Sequence, residues 1–211
     1  MNRHEMSLIL QDVRKAYRLL ADYQQRIFEL LTFIKDEIGA EHYSYYMHNH
    51  IDPRYLYNKY NKIYTGNENI GRGFLPMMDL HLFWQRTQYV PEGQEWQNHL
   101  RQGDLVFEIK IASDENGNGR LSAAESTSEL HIIVYQCIKY RRKVNWYVDV
   151  WCNRKYSEFN QVSFYQDNSG EIEYRIYGER LDLSQMYDEE SVREVLNAFR
   201  KRASEQLMQN I

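Results

Sequence analysis

From Met6 to Ile38 the chain repeats apolar side chains in alternating steps of four and three. Met6, Leu10, Val13, Tyr17, Leu20, Gln24, Ile27, Leu31, Ile34 and Ile38 trace a seam of period 3.5. No strand tolerates that period, so residues 1–38 are predicted to form one long helix, closed by Gly39 at the position that favours a left-handed residue. Ile9, Ala16, Tyr23 and Leu30 form a second apolar row beside the seam, which makes the stripe wider than a bare coiled-coil line. Two destinations follow: packing on the chain's own sheet and C-terminal helix, or contact with another chain through Leu20, Ile27 and Leu31.

After the helix the period changes. Residues 39–73 are rich in tyrosine and irregular, with Pro53 near the middle. From 74 to 178 the pattern is that of strands: FLPMMDLHLFW (74–84), DLVFEIKIA (104–112), ELHIIVYQCIKY (129–140), NWYVDVWCN (145–153), QVSFYQ (161–166) and EIEYRIYG (171–178). Short polar connections suggest an antiparallel meander. Asp188 is placed to cap a last helix over 188–209, with Val192, Val195, Leu196, Phe199 and Leu207 on one face. The expected fold is a single α+β domain, with long N-terminal and C-terminal helices packed on one face of an antiparallel sheet of five or six strands. The other face would carry Tyr147, Trp151, Tyr165 or Tyr177, covered by a partner or by the tyrosine-rich connection.

The 211 residues carry a net charge of −4 and contain two cysteines, Cys137 and Cys152. That balance argues against a globally basic nucleic-acid binder. The cysteines fall in apolar strand-like runs and read as buried free thiols. With no secretory signal and no apolar run of membrane-spanning length, the expected location is cytoplasmic.

Several short patterns carry possible chemistry. DENGNGRLSAAE (114–125) places Asp114, Asn116, Asn118 and Glu125 at ligand positions of the EF-hand loop pattern. Its flanks are strand-like, so a polar hairpin turn is the expected structure and no metal is assigned. Asp79 with Glu108 and Lys110 resembles the acidic and E-x-K elements of the PD-(D/E)xK nucleases, which implies an Mg²⁺-dependent nuclease as a third reading. The proline lies at 76, and a strand follows the E-x-K segment where that family has a helix. His48, His50 and Asp52 resemble the start of the metallo-β-lactamase motif, with Pro53 where a histidine would follow. No catalytic set converges and no cofactor is expected.

Basic residues interleaved with aromatics mark a nucleic-acid-binding alternative: Arg54, Tyr57, Lys59, Tyr60 and Lys62 in the connection, and Arg141, Arg142 and Lys143 in a turn. The leading reading is a non-enzymatic interaction or regulatory subunit. Its heptad-patterned helix and aromatic sheet residues, Tyr147 and Trp151 among them, would meet a protein partner or a second copy.

Overall fold

A computed structural model of the protein describes residues 2–42, 79–87, 100–114, 122–141, 144–155 and 158–211. The chain divides into two compact units, Met1–Gly39 and Ala40–Ile211.

The first unit is helix α1, Arg3–Glu37. Its start is fixed by a capping box: the Asn2 side chain accepts from the Glu5 amide at 2.9 Å, and the Glu5 carboxylate accepts from the Asn2 amide at 2.7 Å. Its end is fixed by Gly39, whose φ of +63° a residue with a Cβ rarely adopts, and whose amide donates to the Asp36 carbonyl. Burial divides the seam sharply. Ile27, Leu31, Ile34 and Ile38 are buried, whereas Met6, Ile9, Leu10, Val13 and Tyr17 are exposed.

The second unit is built on a six-stranded antiparallel sheet of order β1-β2-β3-β4-β6-β5. The strands are β1 Glu41–His42, β2 Asp79–Arg86, β3 Leu105–Ala112, β4 Glu129–Lys139, β5 Ser163–Gln166 and β6 Glu173–Asp182. β2, β3 and β4 follow one another as expected, but the meander then breaks. β4 pairs with β6, and β5, last in the order, pairs with β6.

The reason is the segment 145–153, which is not a strand. Trp146–Trp151 forms a π-helix. Asn145 accepts from the Val148 amide at 3.2 Å, the Asp149 carboxylate accepts from the Asn145 amide at 2.8 Å, and the Cys152 amide reaches the Tyr147 carbonyl five residues back. Trp146 and Val150, four residues apart, are thereby both buried. Cys152, read from the strand pattern as buried, is exposed beyond the helix end.

Because side chains alternate across a strand, the sheet has two distinct faces. One carries Trp84, Phe107, Ile109, Val134 and Tyr177, and α2, Glu189–Leu207, packs on this face against β6. Asp188 caps α2 by accepting from the Ser191 amide at 2.8 Å, and Val192, Leu196, Phe199, Ala203 and Leu207 are its buried residues. Arg202 ties α2 to β6 through both oxygens of Glu179, at 2.9 and 2.6 Å. Tyr177, expected on the open aromatic face, therefore lies buried on the α2 face.

The opposite face carries Phe83, Val106, Tyr135, Tyr174 and Ile176. It is covered by Val144, Trp146, Val150 and the half-buried Tyr147 and Trp151. Tyr147 and Trp151 thus cap the aromatic face from above instead of standing on it. Among the described residues no helix is long and apolar enough to cross a membrane.

Gly178 on β6 sits opposite Ile133, where a Cβ would come within 2.9 Å of the Ile133 side chain and 3.3 Å of the Ile132 carbonyl. Gly178→Ala is expected to cost about 1–3 kcal/mol through overpacking. A urea midpoint unchanged from the native protein would refute that.

Candidate functional site

Two features stand out from ordinary packing: a buried ionic cluster in the sheet unit, and the apolar stripe of α1.

The cluster centres on Glu108 of β3. Alternation that buries Leu105, Phe107, Ile109 and Ile111 on one face turns Glu108 to the opposite face, where it is also buried. An isolated carboxylate there would be costly, so partners are required. Tyr135 Oη donates to Glu108 Oε2 at 2.5 Å, and Arg154 donates to the same oxygen at 2.6 Å. His81 Nδ1 lies 3.6 Å from Oε1. The Trp151 indole N–H leans on the carboxylate without reaching hydrogen-bond geometry.

Burial alone would raise the Glu108 pKa. His81, the Arg154 charge and the Tyr135 hydroxyl outweigh it and hold the group at about 2. The Tyr135 hydroxyl moves the other way, raised well above its ordinary value by burial and then by the Glu108 charge. Arg154 is further sandwiched by rings, its guanidinium carbon 5.3 Å from the Tyr135 centroid and 5.9 Å from that of Trp151.

Two residues along the same face lies a basic row across four strands, His81, Lys110, His131 and Arg180. His131 Nε2 pairs with Glu129 at 2.8 Å and meets Phe159 edge-on. The chemistry open to this cluster is limited. A carboxylate held at about 2 and occupied by two donors on one oxygen is a poor proton acceptor near neutrality. The buried Cys137 thiol, pushed up to about 12 by burial, is equally poor as a nucleophile. The cluster works as cement between the sheet and the 144–155 segment.

The nuclease-like trio does not converge. Asp79 pairs with Ala112, whereas Glu108 pairs with Phe83. Four residues of strand, about 13 Å, separate their backbone positions along the ladder. Lys110 faces His81 and His131 across the ladders.

The loop containing the calcium-like pattern joins two neighbouring antiparallel strands, β3 and β4, with no helix on either side. Asp114 Oδ1 accepts from the Ser126 hydroxyl, and Glu125 accepts from the amide and hydroxyl of Ser122. Asn116 and Asn118 lie outside the described residues. Among the described residues no three of His, Cys, Asp and Glu gather with metal-binding geometry. The nucleic-acid candidates Arg54, Tyr57, Lys59, Tyr60, Lys62, Arg142 and Lys143 also lie outside the described residues, as do His48, His50 and Asp52. Arg141 is exposed and lies 3.5 Å from Glu171.

Arg141 also lines a cleft of about 500 Å³ with Asp149, Tyr165 and Asp167. Its carboxylates are occupied: Asp149 by the Asn145 amide, Asp167 by the amides of Glu171 and Ile172.

Of the partner-binding candidates, Leu20 is half-buried, Ile27 and Leu31 are buried within the chain, and Tyr147 and Trp151 are half-buried over the sheet. The residues the sequence reading missed lie further towards the amino terminus. Met6, Leu8, Ile9, Leu10, Val13, Tyr17 and Leu19 all stand exposed. The signal was present, because the same heptad steps run through Met6, Leu10, Val13 and Tyr17. Tyr135 and Arg154, the main partners of Glu108, had no local signal.

The PM0109 family matches this chain over residues 3–209. A relative from Pasteurella multocida (strain Pm70), "Uncharacterized protein PM0109", is 52% identical over 211 residues and spans the whole of both chains. No solved structure matches the chain. The family match begins at the first residue of α1 and runs past the end of α2, so the chain belongs over its whole described architecture to the PM0109 family.

Proposed function

We propose that this protein is a non-enzymatic interaction subunit, acting in the cytoplasm, whose helix α1 meets a protein partner along its amino-terminal stripe. One observation carries the reading. Met6, Ile9, Leu10, Val13 and Tyr17 lie on adjoining rows of one helix and are each between 38% and 69% exposed. Isolated exposed apolar residues are ordinary, but a contiguous row of this kind is characteristic of a contact surface. Covering such a side chain fully is worth about 1.5–3 kcal/mol. Along the same seam Ile27, Leu31 and Ile34 are buried, so the exposed stripe is confined to the amino-terminal half of the helix.

Two further points support this reading over catalysis. The best-placed carboxylate, Glu108, is already saturated, and the unbridged thiols Cys137 and Cys152 suit a reducing compartment. The sheet aromatics Tyr147 and Trp151 have no part in it, since they cover the protein's own core.

The test is copurification from the native host after crosslinking, comparing wild type with Val13→Glu. Val13 is exposed, so the substitution should leave circular dichroism and urea stability within about 0.5 kcal/mol of wild type. The expected result is a crosslinked species, containing a second protein or a second copy, that falls at least tenfold in the variant. Equal recovery of every species from both proteins overturns the proposal.

A further inference from the structure

The remaining question is what covers the stripe. We infer that its occupant is α1 of a second copy of this chain, lying parallel and in register, an inference that rests on the interaction reading above.

The argument begins with position. Setting Leu10, Tyr17, Gln24 and Leu31 at the first heptad position places Met6, Val13, Leu20 and Ile27 at the fourth. A strict 3.5 repeat winds only with a helix of the same period, since any other period drifts off the seam within a few turns. The α1 of another copy supplies that period at every level. Gln24 then gains a meaning. It is the polar residue at a first heptad position within the apolar seam, and in a parallel pair such a side chain meets its own counterpart across the axis. A polar amide there fixes register when the helices are identical.

The flanks agree. In a two-stranded coil they usually carry the charges that choose a foreign partner. Here the flanking positions from Ser7 to Tyr23 are Ser7, Ile9, Arg14, Ala16, Ala21 and Tyr23, of which Arg14 alone is charged. The alanines let backbones approach, and the apolar row widens the contact. The available area fits a self-contact as well. The stripe from Met6 to Gln24 is about 27 Å long. Its still-exposed side chains offer roughly 500 Å² per helix, or about 1,000 Å² for a pair, which reaches the lower bound for a specific interface. Among soluble oligomers, closed symmetric assemblies of identical chains are also the commonest.

Light scattering of the full chain after size exclusion tests this directly. Wild type is expected at a multiple of the 25.6 kDa chain mass, and Leu10→Glu and Tyr17→Glu at the single-chain mass with unchanged circular dichroism. A wild type at the single-chain mass at every concentration overturns the inference. So does a multimer whose mass neither variant changes. The parallel register has its own readout: Val13→Cys in a Cys152→Ser background should form a disulfide between copies on mild oxidation. An intact multimer that forms no such link overturns the parallel arrangement. If wild type is single-chain in solution yet loses a different protein in the Val13→Glu copurification, this inference falls while the interaction reading stands.

Discussion

Replacing Arg154 by alanine should destabilise the sheet unit by about 3–5 kcal/mol, the range for removing one member of a buried ion pair. Glu108 would be left buried with its charge unmatched, retaining Tyr135 and the more distant His81. The cation stacked between Tyr135 and Trp151 would also be lost, leaving both rings facing a void. Arg154→Lys keeps the charge without the planar fork and should fall between the alanine variant and wild type.

The pH dependence gives an independent check. The carboxyl is lowered from 4.5 to about 2 in the folded protein. On acidification the unfolded chain therefore takes up this proton first. The resulting stabilisation, about 3 kcal/mol at ~1.4 kcal/mol per pH unit, is complete above about pH 4.5 and drains away toward pH 2. Without Arg154 the folded pKa should rise, so Arg154→Ala should show a shallower loss across that window. Urea titrations at pH 7, 4 and 3 on wild type, Arg154→Ala and Glu108→Gln measure both effects. A wild-type stability flat from pH 7 to 3, with Arg154→Ala as stable as wild type, would remove the cluster from any structural role.

Trp146→Ala is expected to cost a similar amount, about 3–5 kcal/mol. Trp146 is wholly buried, edge-on to Phe83 at 5.3 Å and to Tyr135 at 5.0 Å. It is the deepest contact of the π-helical segment with the sheet. Removing it opens a cavity and loosens the one turn that holds Arg154 over Glu108. At about 2–4 °C per kcal/mol for a chain of this size, calorimetry should record a fall of roughly 6–20 °C. Val148→Ala on the exposed side of the same turn is the control, expected within about 0.5 kcal/mol of wild type. Equal melting temperatures for the two variants would mean that the segment is not anchored through Trp146.

The elements that sequence patterning located are those whose signal is local and long. α1 repeats its seam over more than four heptads and ends on a glycine with positive φ; α2 starts on an aspartate that caps it; β3 and β4 alternate cleanly. The segment 145–153 was misread because W-Y-V-D-V-W satisfies two periods at once. Its β-branched and aromatic residues suit a strand, yet Trp146 with Val150 and Tyr147 with Trp151 are also spaced for a helical turn. What decides between them is the reciprocal bonding of Asn145 and Asp149 and the pocket awaiting Trp146. With that segment outside the sheet, β5 lies at its edge and Cys152 is exposed.

The ionic cluster was half legible. Glu108 could be seen as an acid on a strand with an apolar opposite face, and such an acid needs a cation. That the cation is Arg154, 46 residues away, follows only from the crossing of the π-helical segment over β3.

The displaced order of the last strands also bears on how the sheet closes. β4 leaves at Lys139 and its neighbour β6 begins only at Glu173, after the π-helix and β5 have been traversed. The β4–β6 ladder is the longest in the sheet, running from Glu129 opposite Asp182 to Lys139 opposite Glu173, and its strands lie further apart in sequence than those of β2–β3, β3–β4 and β5–β6. The hairpins β2–β3, β3–β4 and β5–β6 need only their own short connections to form. The central ladder must first meet the loop-closure entropy of that whole excursion. Substitutions along β4–β6 should accordingly speed unfolding more than they slow folding, so this long ladder closes after the hairpins beside it.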